Sequence, residues 1–366
     1  MVFDANSPGT LKHDMDTPAL LVDLDLLESN ILRMARVLDG TGVRLRPHYK
    51  THKTSAIALK QVAAGAIGIT CAKVEEAETL VNAGVRDVLI ANQVVGPRKI
   101  ARLAGLARHA DLMVAVDDAQ NVADLSAGMV DAGATLRVLV EVNVGNNRCG
   151  VEPGERAVRL TRQVAEASGL IFAGLMGYEG FCQRIKDVAE KEAAVRRAMA
   201  FLLQTRDQVE ASGLEVQIVS GGGTGTYPIL AGIPGITEIQ AGTYVVMDVD
   251  YRDLGADLGC ALSLLSTVIS RPSPGVAITD AGLKEMTNDH GTPELQGVPG
   301  GKLAKLSEEH ATLELSDPSV RLQPGDRVEF IPSHACTTMN LHDRVYGMRK
   351  GRVEVVWPIA GRGKYR

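Results

Sequence analysis

Aromatic residues fill only 4% of the 366 positions, and just one of them is tryptophan. Any site for a flat cofactor therefore has few rings to draw on. Basic blocks are missing as well. Thirty-nine Lys and Arg stand against 44 Asp and Glu, a formal net charge of −5, which excludes the electrostatic footprint of a nucleic-acid binder. No apolar run reaches the ~18 residues that a membrane span needs, and the opening "MVFDANSPGT" lacks a secretory pattern. The five cysteines, at 71, 149, 182, 260 and 336, are odd in number and far apart. They make no disulfide framework, so the expected compartment is the reducing cytoplasm. What is present is 45% apolar residues, a soluble globular profile with length for a domain of roughly 250 residues and a smaller second one.

From residue 44 to about 250 the chain alternates short apolar runs with longer amphipathic ones. Strand-like segments are "RLRPHYK" (44–50), "GITCAK" (68–73), "DVLIAN" (87–92), "DLMVAVD" (111–117), "RVLVEVNV" (137–144), "IFAGLMGY" (171–178), "EVQIVS" (215–220) and "ITEIQ" (236–240). Helix-like segments lie between most of them, such as "KVEEAETLVNAG", whose Gly84 reads as a C-cap. Eight strands with regular crossovers predict a (β/α)8 barrel of the α/β class rather than a doubly wound open sheet, which usually has fewer strands. After about residue 255 the texture becomes β-rich, with Pro and Gly turns, and predicts a separate all-β domain. The expected organisation is an N-terminal strand segment (1–24) packing with the β-domain, a barrel (25–255) and a β-rich C-terminal domain (256–366).

In such a barrel, chemistry sits at the C-terminal ends of the strands, and phosphate favours the loops after strands seven and eight. The unusual residues fall on that rim. Alternation along "VRLRPHYK" puts Arg44, Arg46, His48 and Lys50 on one face, a basic wall ending in a lysine. Arg148 follows strand five, and Tyr178 ends strand six. "SGGGTGTY" (220–227) follows strand seven and "QAGTY" (240–244) follows strand eight. Three successive glycines allow backbone N–H groups to turn inward as an anion nest, with Thr224 and Thr226 as further hydroxyl donors. A lysine facing a phosphate nest suggests pyridoxal 5′-phosphate (PLP), its aldehyde held as an imine and its phosphate anchored at the far end. Lys50 is the better candidate than Lys53, because it shares the inward face with His48.

The motifs "RPHYKTHK", "CAKVEEAE", "RCG", "SGGGTGTY", "QAGTYVVMDVDY", "DAGLK", "HACTTMNLHD" and "WPIAGRG" together resemble the D-threonine aldolase and D-serine dehydratase family. These are PLP enzymes of the alanine racemase fold type, and the resemblance runs from about Thr17 to Gly363. It implies that Lys50 holds PLP, that Arg148 lies near the cofactor's phenolic oxygen and that Tyr178 lines the cofactor. It also implies that the glycine turns, with Gly222, Gly223, Thr224, Gly242, Thr243 and Tyr244, bind the phosphate. Gln240 stands where alanine racemases carry an arginine against the pyridine nitrogen; a neutral amide tunes the electron sink differently. His48 is expected beside the cofactor, and His52 is a proton shuttle or a structural residue.

"PSHAC" places His334 and Cys336 two apart on an expected strand, where both share a face. Imidazole and thiolate suit a transition metal. The resemblance implies that this pair binds a divalent metal, Zn²⁺ or Mn²⁺, and the soft thiolate favours Zn²⁺. The family's aldolases resemble His-x-Asp here, and its dehydratases more often show His-x-Cys. His342 and Asp343 are further candidates, whereas His13, His109 and His290 have no chemical context in the sequence. The implied function is a PLP- and metal-dependent lyase, a cytoplasmic homodimer acting on a small β-hydroxy-D-amino acid, with no nucleic-acid or membrane partner. Retro-aldol cleavage is the first reading and β-elimination the alternative. A racemase or a non-catalytic PLP carrier would have no use for the metal pair.

Overall fold

The computed structural model describes residues 6–366, which divide into two compact units. One comprises Met34–Lys50, Ser55–Gly242 and Gly363–Arg366; the other takes the residues up to Arg33, Thr51–Thr54 and Thr243–Arg362. These units divide chiefly at Arg33 and Gly242, beside the divisions after residues 24 and 255 expected from composition, and residues 1–5 of the N-terminal segment lie outside the described residues. The cause is local. Asn30 donates to the Val245 and Gly259 carbonyls at 3.3 and 2.8 Å, and the Ala261 amide donates to Val246 at 2.7 Å, which fastens the segment after Thr243 to the second unit.

The first described strand is β1 (Ala19–Asp23), followed by a helix, Leu24–Leu38. Eight parallel strands follow in the first unit. They are β2 (Arg44–Leu45), β3 (Ile69–Cys71), β4 (Asp87–Ile90), β5 (Asp111–Val116), β6 (Leu136–Glu141), β7 (Leu170–Met176), β8 (Ile218–Gly221) and β9 (Glu238–Ile239). Each falls within or against a segment expected from the sequence. Their order in the sheet is β2-β9-β8-β7-β6-β5-β4-β3. The ends of that order meet through Leu45, Pro47 and Thr70, which accept from Ile67, Thr70 and Tyr49 at 2.7–2.9 Å, so the sheet curls back on itself. Such strands are covered on both faces and read as continuous apolar runs. Inside, Leu89, Met113, Ala115, Leu139, Ala173 and Met176 pack as one cluster.

The connecting helices carry their own start and stop devices. Asp118 accepts from the Gln120 and Asn121 amides to begin the helix Ala119–Ala132, and Gly133, at φ 60°, ends it. Gly84 has φ 99° just past the helix Val74–Asn82, as expected from the sequence.

"RPHYK" departs from its simple strand reading. β2 ends at Leu45, but the Arg46 and His48 amides still donate to the Ile239 and Ala241 carbonyls at 2.9 and 3.0 Å, and a His48–Thr70 bridge lies on the other edge, where Pro47 has no N–H to give. Arg44 is exposed, whereas Arg46 is 1% exposed. Arg46 reaches Glu238 at 2.9 Å and Asp87 at 2.6 Å, and Arg137 bridges Asp87 and Asp111 at 2.9 and 2.7 Å. Asp87, Asp111 and Glu238 all begin strands, so this network closes the end opposite the catalytic rim. Arg46 is therefore part of the floor and not of the wall of a site. Burial would lower the pKa of its guanidinium, but Glu238 and Asp87 outweigh that and raise it. Gly68 is required beside it, since a Cβ there would lie 2.3 Å from an Arg46 nitrogen.

The second unit is built on a mostly antiparallel sheet of β1 with β10 (Leu262–Ser273), β11 (Val276–Thr279), β12 (Glu294–Gln296), β13 (Gly301–Leu306), β14 (Ala311–Leu315), β15 (Arg327–Ile331), β16 (Arg344–Arg349) and β17 (Arg352–Pro358). β1 lies antiparallel to β10 and parallel to β16. Met15, Ala19, Leu21, Leu265, Tyr346, Met348 and Val353 form its core beside these strands. No described helix is long and apolar enough to cross a membrane.

Candidate active site

Three residues named from the sequence converge at one ring. The Lys50 Nζ lies 5.8 Å from the centroid of Tyr178, and the Arg148 guanidinium lies 5.6 Å from the same centroid. Tyr178 is two residues beyond the end of β7. Arg148 is positioned by a tight loop in which the Asn143 side chain accepts from the Gly145 and Asn147 amides at 3.1 Å. Gly150 closes the loop by donating to Asp117 at 2.9 Å. Below it Glu141, 4% exposed, takes a 2.6 Å hydrogen bond from Gln93. Burial pushes the Glu141 carboxyl upward, with Gln93 and Arg148 pulling against it.

His48 is buried, and its Nδ1 faces the Lys50 amide at 3.4 Å. Gln240 donates to the Ser220 hydroxyl at 2.8 Å, which places its amide at the shared end of β8 and β9. His52 is fully buried, and its Nδ1 accepts from the Thr54 amide at 3.2 Å. With Nδ1 as acceptor, the neutral ring carries its proton on Nε2.

The glycine turn after β8 is held from behind. Glu179 is 0% exposed; it accepts from the Gly222 amide at 3.1 Å, the Thr226 hydroxyl at 2.5 Å and Gln183 at 3.2 Å. Gln183 accepts from the Gly225 amide at 2.9 Å, and Thr226 Oγ1 accepts from Gly223 at 3.1 Å. The Gly222 and Gly223 amides therefore point to side chains of the protein, whereas the sequence suggested that they turn into an anion nest. The Thr226 hydroxyl is likewise engaged with Glu179. Thr224 and Gly242 are buried beside these turns. Burial pushes the Glu179 carboxyl above its ordinary range, against the pull of Thr226 and Gly222. The turn has no room for side chains: a Cβ on Gly223 would lie 2.8 Å from Gln183, and one on Gly222 2.9 Å from Leu230. A rim lysine with Arg148 and Tyr178 around it fits the aldehyde end of PLP, and the side-chain ties hold the glycine turn, with Thr224 in it, in one shape.

In the second unit, His334 and Cys336 do not share a strand. β15 ends at Ile331, His334 is the extended residue before the short helix Ala335–Met339, and Cys336 lies within that helix. The pair still meets, because the imidazole and thiol are hydrogen-bonded. His334 Nδ1 contacts Asp289 at 2.7 Å, and the His290 ring stacks on it at 3.6 Å. The donor atoms of Asp289, His290 and His334 lie within 4.8 Å of one another. Cys336 is 3.3 Å from the Thr51 hydroxyl and 4.0 Å from that of Thr243, and Tyr244 beside Thr243 is fully buried. Burial alone would lower the His334 pKa, but Cys336 and Asp289 raise it to about 9. Burial likewise works to raise Asp289, yet hydrogen bonds from His334, Thr287 and Thr337 hold it at about 2. Two imidazoles and a carboxylate in one cluster, with the Cys336 thiol acting on His334 from beside it, are a donor set that can hold a borderline divalent cation. His342 is turned away, with Nε2 2.7 Å from the Glu285 carbonyl, and Asp343 pairs with Arg362 at 3.0 Å.

Four participants escaped the sequence reading: Glu179, Gln183, Asp289 and His290. His290 lacks chemical context in the sequence apart from "NDH", which places an acid directly before it. Glu179 stood as a lone acid in the apolar run "LMGYEGFC".

Residues 22–250 match the family described as alanine racemase, N-terminal domain, and residues 261–348 match a putative serine dehydratase domain. A 3-hydroxy-D-aspartate aldolase of Paracoccus denitrificans is 38% identical, over 98% of this chain and 95% of that protein. The crystal structure of a D-threonine aldolase from Filomicrobium marinum superposes with a TM-score of 0.95 at 43% identity, covering 98% of this chain and 99% of that one. The D-threo-3-hydroxyaspartate dehydratase of Delftia sp. HT23 gives 0.86 at 30% identity, covering 95% and 98%, as does its cysteine-to-alanine variant in a metal-free form. The chain belongs to the D-threonine aldolase and D-serine dehydratase family, the PLP-dependent lyases built on the alanine racemase fold.

Proposed function

We propose that this lyase cleaves β-hydroxy-D-amino acids to glycine and an aldehyde, with PLP on Lys50 and a divalent metal on His334 and Cys336. The observation that carries the reading is the convergence of Lys50 and Arg148 on the Tyr178 ring, beside aldolase relatives that cover nearly the whole chain. When bound, PLP supplies an electron sink for the pair released at the substrate's Cα, and the cation a Lewis acid for its β-hydroxyl.

The chain's own residues do the rest. Lys50 offers the amine that tethers the aldehyde carbon, and Tyr178 and Arg148 flank that amine. Gln240, being neutral, leaves the ring nitrogen without the cationic partner that a racemase provides. Thr224 and Gly242, with Thr243 and Tyr244, are the proposed phosphate contacts. His52, with its proton on Nε2, is suited to give that proton, and the imidazole and thiol of His334 and Cys336 would hold the cation. We take the enzyme to be a cytoplasmic homodimer, as the family resemblance implies.

Cys336 favours the dehydratase as the second reading, since a thiolate replaces the carboxylate expected in an aldolase. Incubation of the pure protein with D-threonine separates the two. Acetaldehyde and glycine are expected in excess, and 2-oxobutanoate with ammonia as the main products would establish the dehydratase instead.

Asp289 bears on the metal independently of turnover. A carboxylate on Nδ1 fixes the ring so that the opposite nitrogen faces a ligand. Asp289→Asn is therefore expected to weaken Zn²⁺ binding about 10- to 100-fold, measured by competition with a chelating dye. An unchanged affinity would show that the contact does not orient His334.

A further inference from the structure

Resting on the reading of PLP at Lys50, we propose that Glu179 is the positioning residue of the phosphate socket, fixing the backbone of residues 222–226 through Thr226 and Gln183. The hydrogen bonds leave little freedom. Glu179 Oε2 takes the Gly222 amide at 3.1 Å, and Oε1 takes the Thr226 hydroxyl at 2.5 Å and Gln183 Nε2 at 3.2 Å. Thr226 Oγ1 in turn accepts from Gly223 at 3.1 Å and Gln183 at 2.9 Å, so its one proton and both lone pairs are committed. Gln183 Oε1 takes the Gly225 amide at 2.9 Å. Three amides of a five-residue turn, 222, 223 and 225, are thus tied to one buried trio of side chains. Glu179 and Gln183 are 0% and 3% exposed, so water cannot substitute for either.

The trio needs a carboxylate's two acceptor oxygens. In Glu179→Gln, one orientation of the amide points NH₂ at the Gly222 N–H. The other points it at a Thr226 oxygen that already has two donors. Either way a buried donor loses its partner, and the turn must shift. The socket for a dianionic phosphate is then displaced, while the aldehyde end of the site, at Lys50, is untouched.

The test compares PLP with pyridoxal, which has the aldehyde and ring but no phosphate. Full-length protein is stripped of cofactor with hydroxylamine and titrated with each, following the absorbance of the bound imine. For Glu179→Gln, the PLP Kd is expected to rise roughly 10- to 100-fold, the consequence of one buried unsatisfied donor, with pyridoxal changed less than about twofold. An unchanged PLP-to-pyridoxal ratio, whether both ligands bind as before or both weaken alike, would overturn the role of Glu179 alone. Wild-type protein that binds neither ligand would overturn it together with the cofactor reading. If Glu179→Gln does not fold, Gln183→Met reads the same ratio, because it removes the partner of Gly225 and one donor to Thr226; the same selective loss supports the proposal, and an unchanged ratio overturns it.

Discussion

Lys50→Ala is expected to lower cleavage of D-threonine by at least about a thousandfold, within the range that a positioned proton-transfer group contributes, and to abolish the absorbance of a bound imine. Two roles are lost together. In the proposed function the amine would be the covalent tether for the aldehyde, and it would also be available for proton transfer at the cofactor. The fold should survive, because Lys50 is only partly buried. Its neighbour Arg46 carries the structural charge of the same segment through Glu238 and Asp87. Circular dichroism and the melting temperature of the variant should match the wild type. A variant that keeps a tenth or more of the activity would exclude Lys50 from the chemistry.

Metal removal is expected to have an effect of similar size. A Lewis acid on a reacting oxygen contributes several kcal/mol, and a loss of about 4 kcal/mol is roughly a thousandfold in rate. Exhaustive chelation should reduce turnover by that order, with Zn²⁺ restoring it better than Mn²⁺, because the proposed ligand Cys336 is a soft thiolate. His334→Ala should reproduce the loss in the presence of metal, and Cys336→Asp should move the preference toward Mn²⁺. Full activity after chelation would favour the racemase reading, since a racemase has no use for a metal at the β-carbon. Cys336 and Asp289 raise the His334 pKa to about 9, so a cation would compete with a proton for the ring.

Much of this was legible in the sequence, and the failures have physical causes. The eight barrel strands could be read because strands covered on both faces must be continuously apolar. "DLMVAVD" shows this, with five buried residues in succession in β5. "RPHYK" misled because alternation gives a face but no depth. Arg46 and Lys50 both follow the pattern, yet Arg46 closes the floor while Lys50 reaches the Tyr178 ring. "PSHAC" identified a pair that does meet, for the wrong reason: His334 and Cys336 are brought together by a helix start and not by strand pleat. Asp289 and His290 could not be placed at all, as 45 residues separate Asp289 from His334 and tertiary folding alone joins them. Glu179 was adjacent to a named residue, Tyr178, but nothing local reveals that its partners are Gly222 and Thr226, 43 and 47 residues away.

The account depends most on the amine that carries the cofactor, and borohydride reduction followed by proteolysis and mass spectrometry of the peptides addresses it directly. A pyridoxyl adduct is expected on the peptide "PHYKTHK", with the fragment ions placing it on Lys50. An adduct on Lys53 or any other lysine, or no adduct from folded protein incubated with PLP, would contradict it.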